Sequence, residues 1–425
     1  MNVRISQSTI HGKLEAPPSK SYTHRAIVMA SLSKASRVIN PLISEDTCST
    51  VSACEAIGAT INPVGDVFFV DGVNGEPTTP DNVIDCQNSG TTLRFMIGVC
   101  SLINGTSVLT GDASLRGRPN SQLIDALNEL GANVAATKDN GMAPVIVHGV
   151  LSGGRSALTK PMSSQFLSAL LIACPLCQAD TTLNVHNLQS RPYVDMTLEL
   201  LNQAQINVST DYNEFMVPCC QNFADTDFLI PGDFSSAALH LSAAAITNSR
   251  ISVHNLLESK QGDKRIVTIL KEMGANISWQ HDVVTIDGAE LHGVTIDAND
   301  IPDLVPILAV LGAYAEGTTD IFNVANLRYK ETDRLAAIIT ELRKMQVDIK
   351  QEGDVLRIKG GNPKGASLRG YGDHRIVMSL AVAALAADGQ TQIDTAESVK
   401  VSYPDFFDDI FALGANLESL SAESV

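Results

Sequence analysis

The sequence predicts an α/β protein of two inside-out lobes, each built from three repeats with buried helices and outer mixed sheets. Two observations predict this fold class. A chain of 425 residues is longer than one hydrophobic core usually supports, so two domains are expected. A unit of roughly 70 residues recurs six times along the chain, and such a repeat defines the architecture before any single element is assigned.

The first recurring segment is an amphipathic helix followed by Gly-Ala or a similar pair and a short strand. In LIDALNELG the apolar residues Leu123, Leu127 and Leu130 follow i, i+4, i+7 spacing, which places them on one helix face, and Gly131 ends the helix. A strand pair follows several copies. The six copies are CEAIGATI, LIDALNELGANV, LELLNQAQINV, IVTILKEMGANI, IITELRKMQVDI and DIFALGANL.

The second recurring segment is an Ala-rich helix that is apolar on nearly every side, followed by a polar turn and a strand. A helix without a polar face belongs in a protein interior. We therefore expect these helices inside each lobe and the sheets outside. The six copies are RAIVMASLS, FMIGVCSLI, FLSALLIAC, AALHLSAAAI, LVPILAVLGAYA and IVMSLAVAALAA.

Six repeats divide naturally into two lobes of three. The break falls near FLIPGD (Phe228–Asp233), where Pro and Gly indicate a linker, and EAPPSK (Glu15–Lys20) is a second hinge candidate. We expect one lobe over residues 15–230 and the other over residues 1–14 and 231–425. A ligand is expected in the cleft between them.

Composition excludes several classes of protein. With 44% hydrophobic and 18% charged residues the chain is globular, and its apolar runs are shorter than the roughly 20 residues that a membrane span needs. The opening MNVRISQSTIHG reads as one alternating strand and not as a leader, so we expect a cytoplasmic protein. A net charge of −17 argues against nucleic-acid and anionic-membrane partners, which require surplus cations.

The eight cysteines are too sparse for a disulfide scaffold. Cys174 and Cys177 form a single CxxC, and Cys219 and Cys220 are adjacent, but no histidine spacing completes a zinc site. We expect the cysteines to be small buried hydrophobic residues and predict no structural metal.

Polar and basic residues concentrate immediately before the helix N-termini. These ends carry free N–H groups and a partial positive charge, so several directed at one cleft would bind small anions. Ligands with phosphate and carboxylate groups fit such a site. The basic residues at or near these ends are Lys20, Arg25, Arg94, Arg118, Arg191, Lys330, Arg334 and Arg375.

The segment RYKETDR (Arg328–Arg334) could be an exposed helix face with salt bridges between successive turns. It stands before the amphipathic helix LAAIITELRKM and not along it, which favours a site instead. Glu331, flanked by Lys330 and Arg334, is a candidate acid or base whose pKa the cations would set.

Eight motifs together resemble one enzyme family, in order and spacing over nearly the whole chain: PSKSYTHRA, NSGTTLRF, LRGRPNSQLIDAL, SSQF, SRPY, IPDL, YKETDRL and GDHR. They are similar to the 5-enolpyruvylshikimate-3-phosphate synthases. The resemblance implies the enolpyruvyl transferase fold and transfer of the enolpyruvyl group of phosphoenolpyruvate to the 5-hydroxyl of shikimate 3-phosphate, with release of phosphate. It also implies a monomer that needs no metal or organic cofactor.

The resemblance assigns roles to individual residues. Asp303 is implied as proton acceptor, Glu331 as proton donor to the methylene carbon, and Lys20 as a contact of both substrates. Residues implied to bind shikimate 3-phosphate are Lys20, Ser21, Arg25, Ser163, Ser164, Gln165, Ser190, Tyr193, Asp303, Asn326 and Lys330. Those implied to bind phosphoenolpyruvate are Lys20, Gly90, Arg118, Gln165, Arg334 and Arg375.

Two features leave alternatives open. Family members commonly carry Lys three residues before the Pro of VSYPDFF, where this chain has Val401. Whether Lys400 reaches the leaving phosphate is therefore in doubt. His374 fits either a place near the site or a structural role at a helix end. The sister enzyme that acts on UDP-N-acetylglucosamine usually has a catalytic Cys where this chain reads DASLRGRPN. A repeat-built scaffold without catalysis would not explain the acid, the base and the gathered cations.

Overall fold

The structure is a computed structural model and describes residues 1–420. Short 3₁₀ helices precede several of its α-helices, and those that concern the site are Leu115–Gly117, Pro302–Leu304, Ala325–Tyr329 and Ala396–Val401. The α-helices within the described residues are α1 (Lys20–Leu32), α2 (Glu45–Ala56), α3 (Gly90–Cys100), α4 (Ser121–Glu129), α5 (Ser164–Ala173), α6 (Arg191–Gln203), α7 (Phe234–Ile246), α8 (Ile266–Glu272), α9 (Val305–Tyr314), α10 (Arg334–Lys344), α11 (His374–Ala386) and α12 (Phe406–Ala412).

The strands alternate with these helices in the order of the predicted repeat. They are β1 (Asn2–Ser6), β2 (His11–Glu15), β3 (Ala35–Ile39), β4 (Thr60–Val64), β5 (Val67–Asp71), β6 (Ile84–Asp85), β7 (Thr106–Thr110), β8 (Asn133–Ala136), β9 (Val145–His148), β10 (Gly154–Thr159), β11 (Thr181–His186), β12 (Ser209–Thr210), β13 (Glu214–Val217), β14 (Asp227–Leu229), β15 (Arg250–His254), β16 (Asn276–Gln280), β17 (Val283–Asp287), β18 (Thr295–Asp297), β19 (Thr318–Phe322), β20 (Asp348–Glu352), β21 (Val355–Lys359), β22 (Ser367–Leu368), β23 (Thr391–Ile393) and β24 (Asn416–Leu420).

The chain divides into two compact units. Residues 18–230 form the continuous unit, and the discontinuous unit comprises residues 1–17 and, of the described residues, 231–420. The expected boundary at residue 15 differs from this division by three residues. Glu15 pairs with His254 in a parallel ladder and the Ala16 N–H donates to the His254 carbonyl at 3.0 Å, so these residues belong to the discontinuous unit.

Each unit contains three four-stranded sheets, and all six sheets follow one pattern. A parallel pair of strands is extended by two antiparallel strands. Such repetition is what the recurring sequence segments predict. The orders are β14-β3-β5-β4, β6-β7-β9-β8 and β10-β11-β13-β12 in the continuous unit, and β2-β15-β17-β16, β18-β19-β21-β20 and β22-β23-β1-β24 in the discontinuous unit.

The N-terminal segment differs from the prediction of one alternating strand. It forms two strands in two different sheets, β1 between β23 and β24, and β2 beside β15. Between them the Ser8 N–H donates to the Leu385 carbonyl at 2.9 Å, which turns the chain away from β1. Burial alternates in β1 only, because β2 is an edge strand with a mostly exposed face.

The six Ala-rich helices α1, α3, α5, α7, α9 and α11 are buried along nearly their whole length, as their sequence predicts. Several helices begin where a side chain accepts a hydrogen bond from an N–H group of the first turn, which is a common way to fix a helix start. Ser89, Ser163, Asp233, Asp333 and Asp373 act in this way.

The prediction that the cysteines are buried is wrong for three of the eight. Cys54, Cys86, Cys100, Cys174 and Cys177 are buried, whereas Cys48 and Cys220 are exposed and Cys219 is half-buried. Within residues 1–420, no group of three or more His, Cys, Asp or Glu side chains is arranged to hold a metal ion. No helix in the described part of the chain is long and apolar enough to cross a membrane.

Candidate active site

Arg334 is the centre of a charged cluster in the discontinuous unit. It is the first residue of α10 and only 1% exposed. Its Nε and Nη2 lie 2.8 and 3.2 Å from the two carboxylate oxygens of Asp373. Its Nη1 lies 3.1 Å from Asp303 Oδ1, and its Nη2 lies 2.5 Å from Glu331 Oε2. Because a buried guanidinium requires such partners, one side chain fixes three carboxylates.

Asp303 is also held by two further cations. It lies in the 3₁₀ helix Pro302–Leu304, immediately before the buried helix α9. Lys330 Nζ is 3.1 Å from its Oδ1, and Arg375 Nη2 is 3.3 Å from its Oδ2. Burial would raise the pKa of Asp303, but Arg375, Lys330 and Arg334 together hold this pKa well below its usual range. Asp303 is therefore a carboxylate with hydrogen-bond acceptor capacity in an electropositive setting.

The RYKETDR segment is divided between two environments. Arg328, in the 3₁₀ helix Ala325–Tyr329, is exposed and pairs with Asp333 at 2.8 Å, which matches the solvated alternative. Glu331 lies between that helix and α10, its side chain 17% exposed. Glu331 pairs with Arg334, and Lys330 pairs with Asp303. Lys330 is therefore a contact of the candidate base.

The remaining predicted residues of this unit lie near the same helix starts. Arg375 is the second residue of α11, directly after the N-cap Asp373, and His374 is buried. Asn326 is half-buried in the 3₁₀ helix before Lys330. Lys400 is exposed, and Val401, which stands at the position of the expected Lys, is buried.

A second cluster of cations lies in the continuous unit and has different partners. Arg25, 1% exposed, donates to the Ser21 and Tyr193 carbonyls at 2.8 and 2.9 Å and to Thr197 Oγ1 at 2.8 Å. Ser21, Arg25 and Tyr193 therefore form one group. Ser190, which precedes α6, is buried with a φ of 54°, and this left-handed backbone directs the chain into that helix.

Arg94 and Arg118 flank the start of α3. Arg94 donates to the amide oxygens of Asn120, at 3.2 Å, and of Gln165. Arg118 Nη2 donates to Asn88 Oδ1 at 2.7 Å. A Cβ added to Gly90 would lie 3.2 and 3.3 Å from Nη1 of Arg118 and Arg94, so the missing side chain lets both guanidinium groups approach the helix start.

Polar contacts also lie at the starts of α5 and α1. Ser163 Oγ accepts from the Gln165 N–H at 3.2 Å as the N-cap of α5, whose first residue is the buried Ser164. Lys20, the first residue of α1, pairs with the buried Asp46 at 2.7 Å. The predicted residues of this unit thus lie at the starts of α1, α3, α5 and α6, beside the 3₁₀ helix Leu115–Gly117.

Several residues that hold these cations are not predicted from the sequence. Asp373 and Asp46 are the carboxylate partners of Arg334 and Lys20, and Asn120 and Asn88 are the amide partners of Arg94 and Arg118. A signal existed for three of them, since Asp373 stands in GDHR, Asn88 in NSGTT and Asn120 in GRPNS. Asp46 lies in SEDT and carries no comparable signal.

Comparison with known proteins identifies the family. A family model described as EPSP synthase (3-phosphoshikimate 1-carboxyvinyltransferase) matches residues 5–410. A protein of Methanocella arvoryzae named 3-phosphoshikimate 1-carboxyvinyltransferase is 53% identical over 98% of this chain and 100% of its own length. The chain belongs to the EPSP synthase family. A relative of the same name from Methanosarcina acetivorans is 51% identical, with all of both chains covered.

Solved EPSP synthase structures have the same fold. A 2.37 Å structure of the enzyme from Acinetobacter baumannii aligns with a TM-score of 0.85 and 28% identity, over 98% of this chain and 99% of that one. A second structure from that organism also gives 0.85 at 27% identity. The predicted fold class and the resemblance to the EPSP synthase family are thereby confirmed, and the UDP-N-acetylglucosamine alternative is not favoured.

Proposed function

We propose that this chain transfers the enolpyruvyl group of phosphoenolpyruvate to the 5-hydroxyl of shikimate 3-phosphate through a tetrahedral intermediate. The observation that carries the proposal is that Arg334 binds both the candidate base Asp303 and the candidate acid Glu331, at 3.1 and 2.5 Å. One buried cation thus keeps an acid and a base at fixed positions. This arrangement suits a reaction in which one carbon is protonated while a neighbouring carbon is attacked.

The proposed reaction consists of an addition followed by an elimination. The shikimate 5-hydroxyl oxygen forms a bond to the phosphate-bearing carbon of phosphoenolpyruvate, and its proton goes to Asp303. Glu331 gives its proton to the methylene carbon, which becomes a methyl group. Glu331 then takes a proton back from that methyl group, and Asp303 gives its proton to the departing phosphate, which forms the enol ether. Arg334 and Arg375 would stabilise the negative charge of the carboxylate and phosphate during both steps.

Each substrate is assigned contacts from both clusters. In this proposal the shikimate 3-phosphate contacts are Lys20, Ser21, Arg25, Ser163, Ser164, Gln165, Ser190, Tyr193, Asp303, Asn326 and Lys330. The phosphoenolpyruvate contacts are Lys20, Gly90, Arg118, Gln165, Arg334 and Arg375. The proposal assigns residues of both units to the same two substrates, and it assigns Lys400 no role because Val401 occupies the expected position.

Phosphate release tests the reaction directly. The purified chain is incubated with phosphoenolpyruvate and shikimate 3-phosphate, with phosphoenolpyruvate and UDP-N-acetylglucosamine, and with phosphoenolpyruvate alone. We expect phosphate only in the first mixture, together with the enol ether product by mass spectrometry. Release with the UDP-sugar would establish the sister reaction. Absence of turnover in all three mixtures would favour a repeat-built binding scaffold without catalysis.

We further propose that the enzyme acts as a cytoplasmic monomer without nucleic acid, metal or organic cofactor. A net charge of −17 supports the exclusion of nucleic acid, because a phosphate polymer would be repelled. Light scattering coupled to size-exclusion chromatography gives the mass to compare with 45.2 kDa per chain. Activity measured with and without a chelator tests whether the reaction requires a metal.

A further inference from the structure

Two polar contacts join α1 to α2 in the continuous unit. Lys20 Nζ is 2.7 Å from Asp46 Oδ2, and His24 Nδ1 is 2.6 Å from Thr50 Oγ1. Lys20 and His24 are four residues apart on α1, and Asp46 and Thr50 are four apart on α2. Residues at this spacing share a helix face, so the two contacts lie side by side between the same two helices.

The second contact continues to the start of α3. Thr50 Oγ1 lies 2.6 Å from Thr92 Oγ1, and the Thr92 hydroxyl donates to Ser89 Oγ at 2.7 Å. Ser89 is the N-cap of α3 and also accepts from the Thr92 N–H at 3.2 Å. His24, Thr50, Thr92 and Ser89 are all 0% exposed. A dry chain of hydrogen bonds therefore runs from α1 to the residue that precedes Gly90.

The chain of hydrogen bonds has one direction. A hydroxyl has a single proton, and the Thr92 proton is given to Ser89, so Thr92 accepts the proton of Thr50. Thr50 in turn accepts from His24, which requires a proton on Nδ1. The other nitrogen, Nε2, is buried and has no hydrogen-bond partner within the described part of the chain. Burial, and then Lys20 and Arg25, lower the pKa of His24 well below its usual value, which keeps the imidazole neutral.

We propose that His24, as the neutral Nδ1–H tautomer, is a positioning residue that holds α3, and with it Gly90, at a fixed distance from Lys20. This inference rests on the proposed function, in which Lys20 and Gly90 both contact phosphoenolpyruvate. His24 acts through Thr50, Thr92 and Ser89 and not by touching the substrate. A small movement of α3 would change how Gly90 faces the Arg94 and Arg118 guanidinium groups, which approach it closely.

Kinetics of variants separate positioning from a general loss of structure. His24→Leu removes the donor, and Thr50→Val interrupts the chain at the next link; each is expected to raise the KM for phosphoenolpyruvate about 10-fold, while kcat and the KM for shikimate 3-phosphate stay within about twofold. His24→Asn keeps an N–H donor near the Nδ1 position, so its KM for phosphoenolpyruvate should be close to the wild-type value. The double variant His24→Leu/Thr50→Val should be no worse than either single one, because both break the same chain.

Ser31→Ala is the matched control. Ser31 is buried in the same helix and donates to the Ile27 carbonyl at 2.8 Å, outside the chain of hydrogen bonds. This variant should leave both KM values unchanged. If His24→Leu raises both KM values equally, or changes stability alone, the positioning role is refuted.

Nitrogen-15 NMR of the histidine side chains provides a readout independent of turnover. For His24 we expect a protonated Nδ1 and an unprotonated Nε2 at neutral pH, with a displaced Nδ1 resonance in Thr50→Val. An Nε2–H tautomer or an imidazolium would refute the proposal whether or not the enzyme is active. If the wild-type chain shows the expected tautomer but does not turn over, the proposed function fails while the hydrogen-bond chain stands.

Discussion

The two units hold their cations in opposite ways. In the discontinuous unit, Arg334 binds three carboxylates, and Lys330 and Arg375 both bind Asp303. In the continuous unit, the acceptors of Arg25, Arg94 and Arg118 described within that unit are hydroxyl, amide and carbonyl oxygens. Two helix-start cations of this unit are exceptions, since Lys20 pairs with Asp46 and Arg191 lies 3.9 Å from Asp195.

This difference separates two tasks that the proposed reaction requires. Neutral acceptors orient a guanidinium without cancelling its charge, so the continuous unit keeps a positive potential suited to phosphate and carboxylate groups. Carboxylates paired with cations instead provide groups that accept and give protons, and the cations around Asp303 hold its pKa low. The discontinuous unit therefore supplies the proton transfer in this proposal, and the continuous unit supplies much of the anion binding.

The largest effect is expected from the proton-transfer residues. Glu331→Gln and Asp303→Asn should each lower kcat by about 10²–10⁴-fold, because each removes one partner of the acid-base pair. Steady-state kinetics with both substrates measures this effect. Asp333→Asn is the control, since Asp333 is a neighbouring acid that caps α10 and Asn caps equally well. A kcat within a few fold of wild type for both site variants would remove acid-base roles from this unit.

The second prediction compares stability across the two units. Arg334→Met should lower the free energy of unfolding by about 3–5 kcal/mol, because it leaves the buried Asp373 carboxylate without its partner. Arg118→Met should cost less than about 1 kcal/mol, because its acceptors Asn88 and Ser114 are neutral, half-buried groups that can be hydrated. Denaturant titration of both variants measures the difference. Equal losses would mean that the two sets of partners do not differ as described.

The sequence predicts where the cations lie better than it predicts which residues they pair with. Helix starts and repeats are local patterns, so the positions of Arg334 at the start of α10 and Arg375 in α11 followed from capping and periodicity. The partners are not local. Asp303 and Arg334 are 31 residues apart and Asp373 and Arg334 are 39 apart, and nothing in a single sequence indicates which acid reaches which cation.

The N-terminal strands show the same limit. The alternating pattern correctly indicated extended chain, but β1 pairs with β24 across more than 400 residues, and β2 pairs in another sheet. The sequence places Glu331 between Lys330 and Arg334, and in the structure Arg334 pairs with Glu331 while Lys330 pairs with Asp303. Local pattern identified the candidate residues, and through-space pairing decided their partners.

The third prediction concerns His240, a buried histidine of the discontinuous unit, and its effect on stability in acid. His240, in α7, bonds to the Tyr403 hydroxyl at 2.9 Å, and burial lowers its pKa to about 3. The unfolded state, with a pKa of about 6.5, binds the proton more tightly, so stability falls as pH drops below about 6.5 and continues to fall until about pH 3. At pH 5 the loss from this residue is about 2 kcal/mol relative to neutral pH.

Denaturant titration at pH 5 and pH 7.5 tests this sign and size. His240→Phe should reduce the difference between the two pH values, whatever it does to stability at pH 7.5. His148→Gln alters an exposed histidine of the continuous unit and should leave the difference unchanged. If wild type and His240→Phe lose the same stability in acid, burial of His240 is not a source of the acid sensitivity.

The smallest predicted effect is a change in glyphosate inhibition when Gly90, in the continuous unit, is substituted. Glyphosate, a small anion with phosphonate and carboxylate groups, should inhibit the enzyme at the phosphoenolpyruvate site. Gly90→Ala should weaken this inhibition by about 10-fold, or about 1.4 kcal/mol, because the new Cβ would lie 3.2 and 3.3 Å from the Arg118 and Arg94 guanidinium nitrogens. Stability should not fall, since Gly90 begins a helix and Ala is the better helix former.

Gly117→Ala is the matched control for this experiment. Gly117 is adjacent to Arg118, but a Cβ there would meet no atom within 4 Å. Inhibition constants measured against phosphoenolpyruvate should therefore change for Gly90→Ala and not for Gly117→Ala. Equal constants for Gly90→Ala and wild type would show that the guanidinium groups move aside at no cost. In that case the neutral partners of Arg94 and Arg118 would hold them too weakly to shape the pocket, and the contrast with the carboxylate-bound Arg334 would be one of rigidity as well as of charge.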